Sequence, residues 1–441
     1  MDDRRSNWAD GLHHVARSDV GMRRNNNQDS FAEYVASSEA AWRQRGHLFI
    51  VADGMGAHAA GELASKLAVD NIPHLYSKLA SESTDIAIRK AIEQTNDKIH
   101  DRGQANAEFH GMGTTTSCLV LTKAGAYIGH VGDSRIYRLR GNRLDQLTFD
   151  HSLVWEMRRA NGQFHNSEFG ANLPKNIITR SLGPHAQVQV DVEGPFPLCV
   201  GDTFLLCSDG LTGPVKNEEL ALIIGCLPPD EAARMLVDLA NLRGGPDNIT
   251  VEVVKVTGEH ISQIDSVSGA AVDTPDPGMA IRGLATSLLL LFGLGTVALL
   301  AVGIVLGQAW AIAAGVVCGL ATAGLAVWRR KLPAPPAEVE AGRLHGGAPY
   351  DSCLFNPNAE FVEQLKGIFK ELCDAARHDD WEIDWRRVET LAGEASEIEK
   401  TQEIPGTIRS YCRSISFMMS ELAAQPRRKR NAGQDDSVFS D

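Results

Sequence analysis

Five aspartates of this chain stand where a short apolar run meets a turn, and this repeated pattern constrains the fold more than any other feature. The apolar run 48–52 ends at Asp53-Gly54, and the run 204–207 leads to Asp209-Gly210. Apolar runs of this length predict buried strands, and an Asp-Gly pair predicts a tight turn. The same arrangement recurs at Asp29, Asp133 and Asp247.

An aspartate at the buried end of a strand is costly in free energy unless something cationic meets it. If the five strand ends converge, their ionised carboxylates repel one another and need cations between them. Oxygen ligands of this kind suit Mg²⁺ or Mn²⁺ rather than zinc, which prefers nitrogen and sulfur. Two such ions held by Asp53, the Gly54 carbonyl, Asp209 and Asp247 would activate a water for attack on phosphorus. Arg24 is a candidate clamp for the substrate phosphate, with an ordinary surface arginine as the alternative.

The chain has 441 residues and a formal net charge of −13, enough length for two or three domains. The acidic balance argues against a general nucleic-acid-binding protein, which would be basic. No Walker A loop, Rossmann fingerprint or Ser-His-Asp pattern is found, so nucleotide-driven and serine-nucleophile chemistry have no support.

Residues 11–257 carry many short strand patterns interrupted by long helical ones, which indicates an α+β fold with antiparallel sheets covered by helices. Residues 1–10 are polar and predicted to be flexible. The candidate strands cover 13–18, 30–36, 48–52, 115–121, 126–131, 135–140, 143–146, 187–192, 203–207 and 249–256, and the candidate helices cover 60–79, 84–100, 153–160, 217–224 and 229–242.

The stretch 283–328 contains no charged residue and is about twice as long as a membrane-spanning helix requires. Gln308-Ala309-Trp310 divides it, which predicts transmembrane helices at 283–307 and 311–328 after a linker at 258–282. Arg282 before the pair and Arg329-Arg330-Lys331 after it place both termini in the cytoplasm, and so predict a two-pass protein of the cell membrane. A buried hairpin in a soluble protein is the alternative.

A second linker is predicted at 329–356, followed by a small helical domain at 357–425 and a flexible tail at 426–441. The apolar spacing in 357–425 is typical of a helical bundle. It carries no evident chemistry, so we interpret it either as a docking module for another protein or as an inert helical cap.

Residues 11–257 resemble the bacterial form of the metal-dependent protein phosphatase family (PPM, type 2C). Eight motifs carry the resemblance and follow the family's order. They are Ser18-Asp19-Val20-Gly21 with Arg24 and Asn27-Gln28-Asp29, Val51-Ala52-Asp53-Gly54-Met55-Gly56, Gly111-Met112-Gly113-Thr114-Thr115, His130-Val131-Gly132-Asp133-Ser134-Arg135, Thr148 with Asp150-His151-Ser152, Ile178-Thr179-Arg180-Ser181-Leu182-Gly183, Leu206-Cys207-Ser208-Asp209-Gly210-Leu211 and Gly245-Pro246-Asp247-Asn248-Ile249-Thr250.

The resemblance implies an αββα sandwich that hydrolyses phosphoserine and phosphothreonine on proteins, in bacteria often beside a Ser/Thr kinase partner. It implies two Mn²⁺ or Mg²⁺ ions on Asp53, Gly54, Asp209 and Asp247, with Asp29 beside them. A third, weaker metal is implied on Asp133 with Asp209, and Arg24 is implied to bind phosphate. Residues 160–184 correspond to the family's variable flap near the substrate.

Three residues depart from the family's pattern. Gln28 replaces a common Glu and Ala57 a common Gly, while Met55 stands where animal members have a histidine proposed as general acid. His58 lies nearby but is more often structural in such a position. The alternative to an active enzyme is a catalytically silent sensor or scaffold that binds phosphoproteins through the same fold.

Overall fold

The computed structural model describes residues 11–56, 59–160, 177–262 and 347–425, together with the isolated residues 307, 313, 314 and 319. The predicted flexible termini, nearly all of the two predicted transmembrane helices and most of both linkers therefore lie outside the described residues, as do Ala57, His58 and most of the flap. Within the described ranges, no helix combines the length and the apolar composition that crossing a membrane requires.

Most elements of the phosphatase-like region begin and end close to the predicted residues. The strands are β1 (Leu12–Asp19), β2 (Asp29–Tyr34), β3 (His47–Met55), β4 (Gly113–Thr114), β5 (Thr116–Thr122), β6 (Gly125–Val131), β7 (Arg135–Arg140), β8 (Arg143–Gln146), β9 (Asp191–Phe196), β10 (Thr203–Cys207), β11 (Ile249–Val256) and β12 (Asp351–Leu354). The helices are α1 (Glu39–Arg45), α2 (Ala60–Lys78), α3 (Thr84–Ala105), α4 (Leu153–Ala160), α5 (Asp209–Thr212), α6 (Asn217–Cys226), α7 (Pro229–Leu242), α8 (Ala359–His378), α9 (Trp385–Lys400) and α10 (Ile404–Ala424).

The strands form two antiparallel sheets. The first has the order β1-β11-β10-β7-β8-β12, and the second has the order β2-β3-β5-β6-β9 with β4 paired to β3. Because β10 lies between β11 and β7, the chain following β10 comes close to the chain that precedes each of those strands. This topology brings residues distant in sequence to one end of the sheet.

Alternation of side chains along the strands builds a layered core. Phe49 and Leu206 point between the two sheets, whereas their neighbours Ile50 and Leu205 point outward to the helices. Successive side chains of a strand face opposite sides of a sheet, so near-continuous apolar runs supply both layers. Helices α2 and α3 cover the second sheet, and α6 and α7 cover the first. The predicted αββα sandwich is confirmed.

The three C-terminal helices form a bundle in which α8 and α9 pack on α10, and α10 packs on α6 and α7 of the sandwich. Phe361, Leu365 and Ile415 belong to the same apolar cluster as Leu236 of α7. The predicted helical character of 357–425 agrees with this, but the bundle shares its core with the phosphatase-like region instead of standing apart from it.

Polar contacts of α10 reinforce this packing along one helical face. The Arg409 guanidinium donates to the Cys226 carbonyl at 2.9 Å, and Arg234 donates to the Ser416 carbonyl at 3.0 Å. Arg413 contacts both carboxylate oxygens of Glu231, at 2.9 and 2.7 Å. Positions 409, 413 and 416 are three and four residues apart, so they share one face of the helix.

The sequence predicts a linker over 329–356, and this prediction is wrong for 351–354, which form strand β12. Asp351 pairs with Gln146 and Leu354 with Arg143, which extends the first sheet by one strand. Asn217 also donates to the Asp351 carboxylate at 2.9 Å. These partners are more than 130 residues away in sequence, which is why a local pattern did not indicate the strand.

The chain leaves the sandwich near Ser262 and returns to it near Gly347, and both residues contact β9 or the residues just after it. Ser262 donates to the Leu198 carbonyl at 3.1 Å, and the Gly347 amide donates to Glu193 at 3.2 Å. The 84 residues between Ser262 and Gly347 therefore begin and end at neighbouring points.

Candidate active site

All five predicted aspartates come together at one end of the sandwich. Asp29 and Asp53 are directly opposite each other in the register of β2 and β3. Asp209 begins α5 directly after β10, Asp133 lies between β6 and β7, and Asp247 precedes β11. Burial raises the pKa of Asp53, and the charges of the four other aspartates raise it further. The five carboxylates thus form one electrostatically coupled group, as convergence of the strand ends predicted.

Threonine and serine side chains connect the Asp53 strand to the Asp133 turn. The Thr115 hydroxyl accepts from the Asp53 amide at 2.9 Å and also lies 2.7 Å from the Ser134 hydroxyl. The Thr115 amide donates to the Asp53 carbonyl at 2.8 Å. Because buried polar groups are costly to leave unpaired, these contacts fix the two aspartates relative to each other.

Ser208 makes the corresponding connection between Asp209 and Asp29. Its hydroxyl donates to Asp29 Oδ2 at 2.7 Å and accepts from the Thr250 amide at 3.0 Å. The residue that precedes Asp209 therefore holds Asp29, which lies in the other sheet.

Asn248 joins the Asp247 loop to the β1–β2 loop. Its side-chain amide donates to the carbonyls of Val20 and Asn26, each at 2.9 Å, and its Oδ1 accepts from the Gln28 amide at 2.8 Å. Asn248 and Ser208 stand within the sequence motifs, but the sequence alone assigns them no role. Their positions beside Asp247 and Asp209 were the available signal.

The glycines that follow Asp53 and Asp209 occupy positions with no room for a side chain. A Cβ on Gly54 would lie 2.1 Å from the Gly61 carbonyl oxygen, and one on Gly210 would lie 1.9 Å from the Asn248 carbonyl oxygen. The Asp-Gly pattern therefore reflects close backbone approach at both strand ends as well as a turn.

Burial and mutual repulsion raise the pKa values of the cluster. Burial raises the pKa of Asp29 to about 7 and that of Asp133 to about 8, and the charge of Asp209 acts in the same direction on both. Burial, followed by the charge of Asp247, raises the pKa of Asp209, which is hydrogen-bonded to Asp53. A cation would relieve this repulsion.

Arg24 lies at the rim of the cluster. Its Nη2 donates to Asp247 Oδ2 at 2.7 Å, and its side chain is about half exposed, at 51%. The hydrogen bond to Asp247 raises the pKa of Arg24, as do the charges of Asp53 and Asp209. A planar donor is thus in place beside the carboxylates.

The donor set fits hard divalent cations. Oδ1 of Asp29 and Oδ1 of Asp133 are buried with no hydrogen-bond partner among the described residues. Such orphaned oxygens are costly unless something cationic meets them. Within the same residues, no three acidic, histidine or cysteine side chains already have the arrangement of a metal site.

The two described departures from the family's pattern lie at the edge of the cluster. Gln28 donates to the Gly56 carbonyl at 3.4 Å, a contact at the long end of the hydrogen-bond range, and contributes no charge. Met55 is the last residue of β3 and pairs with Gly113 of β4.

This sandwich with its acidic cluster defines a phosphatase of the type 2C class, and the chain belongs to the protein phosphatase 2C family. The family profile described as Protein phosphatase 2C matches residues 22–239. Protein phosphatase PhpP of Streptococcus pneumoniae is 39% identical over 247 residues, which are 55% of this chain and 96% of PhpP.

Solved structures similar to this chain carry related names. The Mycobacterium tuberculosis serine/threonine phosphatase PstP/Ppp is 34% identical, with 56% of this chain and 99% of that one covered and a TM-score of 0.49. The catalytic domain of PstP in complex with 2 manganese ions is also 34% identical over 56% of this chain and 99% of that chain, with a TM-score of 0.47.

Proposed function

We propose that this protein is a membrane-tethered serine/threonine protein phosphatase that hydrolyses phosphoserine and phosphothreonine at a centre of two Mn²⁺ or Mg²⁺ ions. The observation that carries the proposal is the meeting of five carboxylates from separate strand ends beside an accessible arginine. When bound, divalent cations supply charge neutralisation and lower the pKa of water. Phosphorylated proteins are the proposed substrates, and a Ser/Thr kinase that phosphorylates them is the proposed counterpart.

The residues of the cluster have distinct proposed roles. Asp53, Asp209, Asp247 and the Gly54 carbonyl would hold the two ions, with Asp29 beside them. Asp133 and Asp209 would hold a third, weaker ion. One oxygen of Asp29 accepts from the Ser208 hydroxyl, and one oxygen of Asp247 accepts from the backbone amide of the neighbouring Asn248.

Arg24 would bind and orient the substrate phosphate through its guanidinium. Its present bond to Asp247 must open for phosphate to bind, and Asp247 must be released to bind a cation. Ion binding and phosphate binding are therefore expected to favour each other.

Turnover is expected to depend strictly on divalent cations. The full chain should dephosphorylate a phosphothreonine peptide in Mn²⁺, lose the activity in excess EDTA and regain it when Mn²⁺ is restored, as measured by phosphate release. Phosphate release that survives chelation contradicts the proposed centre. Binding of the phosphopeptide without any turnover in Mn²⁺ would support the silent sensor instead.

Arg24→Ala is expected to raise KM for the phosphopeptide more than it lowers kcat, because the guanidinium binds phosphate before and during reaction. We expect a loss of kcat/KM of roughly tenfold to a hundredfold, about 1.4 to 3 kcal/mol, as for charged hydrogen bonds. Arg24→Lys should recover part of it, since lysine keeps the charge but loses the planar pair of donors. Arg23→Ala, on the same exposed loop, serves as the control, and an equal effect of both variants would remove the assigned role.

The membrane tether is supported by the uncharged stretch 283–328 and by the neighbouring exit and return points at Ser262 and Gly347. A two-pass hairpin needs both of its ends on the same side of the membrane. We expect the protein to require detergent for extraction, with the N-terminal and C-terminal regions cleaved by protease only from the cytoplasmic side. Recovery in the soluble fraction without detergent would argue against the tether. A docking role of the bundle for other proteins stays a prediction.

A further inference from the structure

A cavity lies where the C-terminal bundle meets the sandwich. It has a volume of about 300 Å³ and is lined by residues at the end of α6 and on α7, α9 and α10. That volume is at the lower end of the range for small-molecule sites, which occur preferentially where two packed bodies meet. The cavity is far too small for a folded partner.

The floor of the cavity is apolar. Leu227, Leu391 and Phe417 line it, and the buried Cys412 thiol lies among them. Burial raises the pKa of Cys412, so the thiol is uncharged at neutral pH and behaves as a small apolar group. This floor suits a compact hydrocarbon or aromatic body.

The rim is cationic, with three arginines and one carboxylate in a chain whose formal net charge is −13. Two of the arginines are engaged, since Arg413 pairs with Glu231 and Arg234 donates to the Ser416 carbonyl. The third, Arg387, is exposed, and no carboxylate pairs with its guanidinium within the part of the chain that the structure describes. Its backbone amide donates to the Asp384 side chain at 3.0 Å, the cap at the start of α9.

We propose that this cavity is a binding site for a small organic anion, which places its apolar body on Leu391 and Phe417 and its anionic group on Arg387. Charge and shape complementarity favour this class of ligand. The arginines at the rim would repel a cation. A neutral apolar molecule would form no charged hydrogen bond with the Arg387 guanidinium. A carboxylate, sulfonate or phosphate group satisfies it with charged hydrogen bonds.

The test uses the purified full chain and naphthalene-1-sulfonate as the probe, with binding measured by equilibrium dialysis. Arg387→Gln removes the rim charge on an exposed helix surface, and Arg386→Gln makes the same change at the adjacent residue, which does not line the cavity. Because all samples carry the same detergent, partitioning of the probe into detergent cancels between variants.

We expect saturable binding that weakens at least tenfold in Arg387→Gln and is unchanged in Arg386→Gln. 1-Naphthalenemethanol, which has the same ring system without charge, and inorganic sulfate, which has charge without the body, should each bind at least tenfold more weakly than the probe. Equal binding to both variants, equal binding of the alcohol, or no saturable binding at millimolar probe would overturn the proposal. Since no step measures phosphatase activity, failure here leaves the proposed catalytic function untouched.

Discussion

Asp209→Asn is expected to lower the Mn²⁺-dependent rate of phosphate release by more than about a hundredfold. Loss of a residue that merely supports a metal ligand typically costs 10-fold to 100-fold in metal affinity or activity, and Asp209 is assigned to the ion centre itself. Its position at the start of α5, hydrogen-bonded to Asp53, places its carboxylate in the middle of the cluster. Phosphate release from a phosphothreonine peptide, measured over a range of Mn²⁺ concentrations, gives the loss in rate and in metal affinity.

The same variant should be more stable than the parent when metal is absent. Burial and the charge of Asp247 raise the pKa of Asp209 above its unfolded value. A carboxyl group shifted in that direction destabilises the fold as pH rises above the unfolded pKa, because the unfolded state then loses its proton more readily. Asparagine removes that cost, so in EDTA the thermal midpoint of Asp209→Asn should exceed that of the parent at pH 8 and the gap should shrink toward pH 4. In Mn²⁺ the order should reverse. A variant that is less stable in EDTA would mean that its lost activity reflects unfolding.

Cys412→Asp is expected to destabilise the catalytic sandwich as well as the bundle. Cys412 is 1% exposed and lies on the face of α10 that packs against the sandwich. A carboxylate at this position should cost several kcal/mol, because burying a charge is among the most destabilising changes in a core. Chemical unfolding followed by tryptophan fluorescence should show one transition moved to lower denaturant.

Activity should fall with it, because α7 links the bundle to the catalytic loops. Asn241 near the end of α7 donates to Asp19 at 3.1 Å, and Gly245 just beyond it accepts from the Met22 amide at 2.9 Å. Ala423→Asp, an exposed change on the same helix, is the control and should leave both stability and rate close to the parent. A Cys412→Asp protein with normal activity and a normal unfolding transition of the sandwich would show that the bundle folds independently.

Local patterns predicted the strands that carry strong turn signals at both ends. The predicted bounds of β7, β8, β10 and β11 agree with the structure, as do those of α4 and α7. The sequence predicts a strand at 187–192, whereas β9 spans Asp191–Phe196. Its Gly194-Pro195 pair reads locally as a break, yet β9 is an edge strand, where proline is tolerated because one side of the strand needs no partner.

The sequence predicted the aspartates of the candidate site but not the hydrogen bonds that hold them in place. An aspartate at a strand end can be recognised from the residues beside it, because an apolar run stops there. The connections made by Ser208 and Asn248 depend on partners 179 and 220 residues away, Asp29 and Gln28, and no local pattern records them. Helix α1 was missed for a different reason, because its seven residues are too few to show a clear period.

Strand β12 has a consequence for the order in which the molecule is made. The other strands of its sheet are complete once synthesis reaches Val256, but Leu354 follows 98 residues later. At 5–20 residues per second, the ribosome needs roughly 5–20 s to produce that interval. During this time the nascent sheet has an open edge at β8, and the apolar surfaces of α6 and α7 lack their cover. The protein therefore has a built-in interval in which chaperones, or premature self-association, compete with its own last strand.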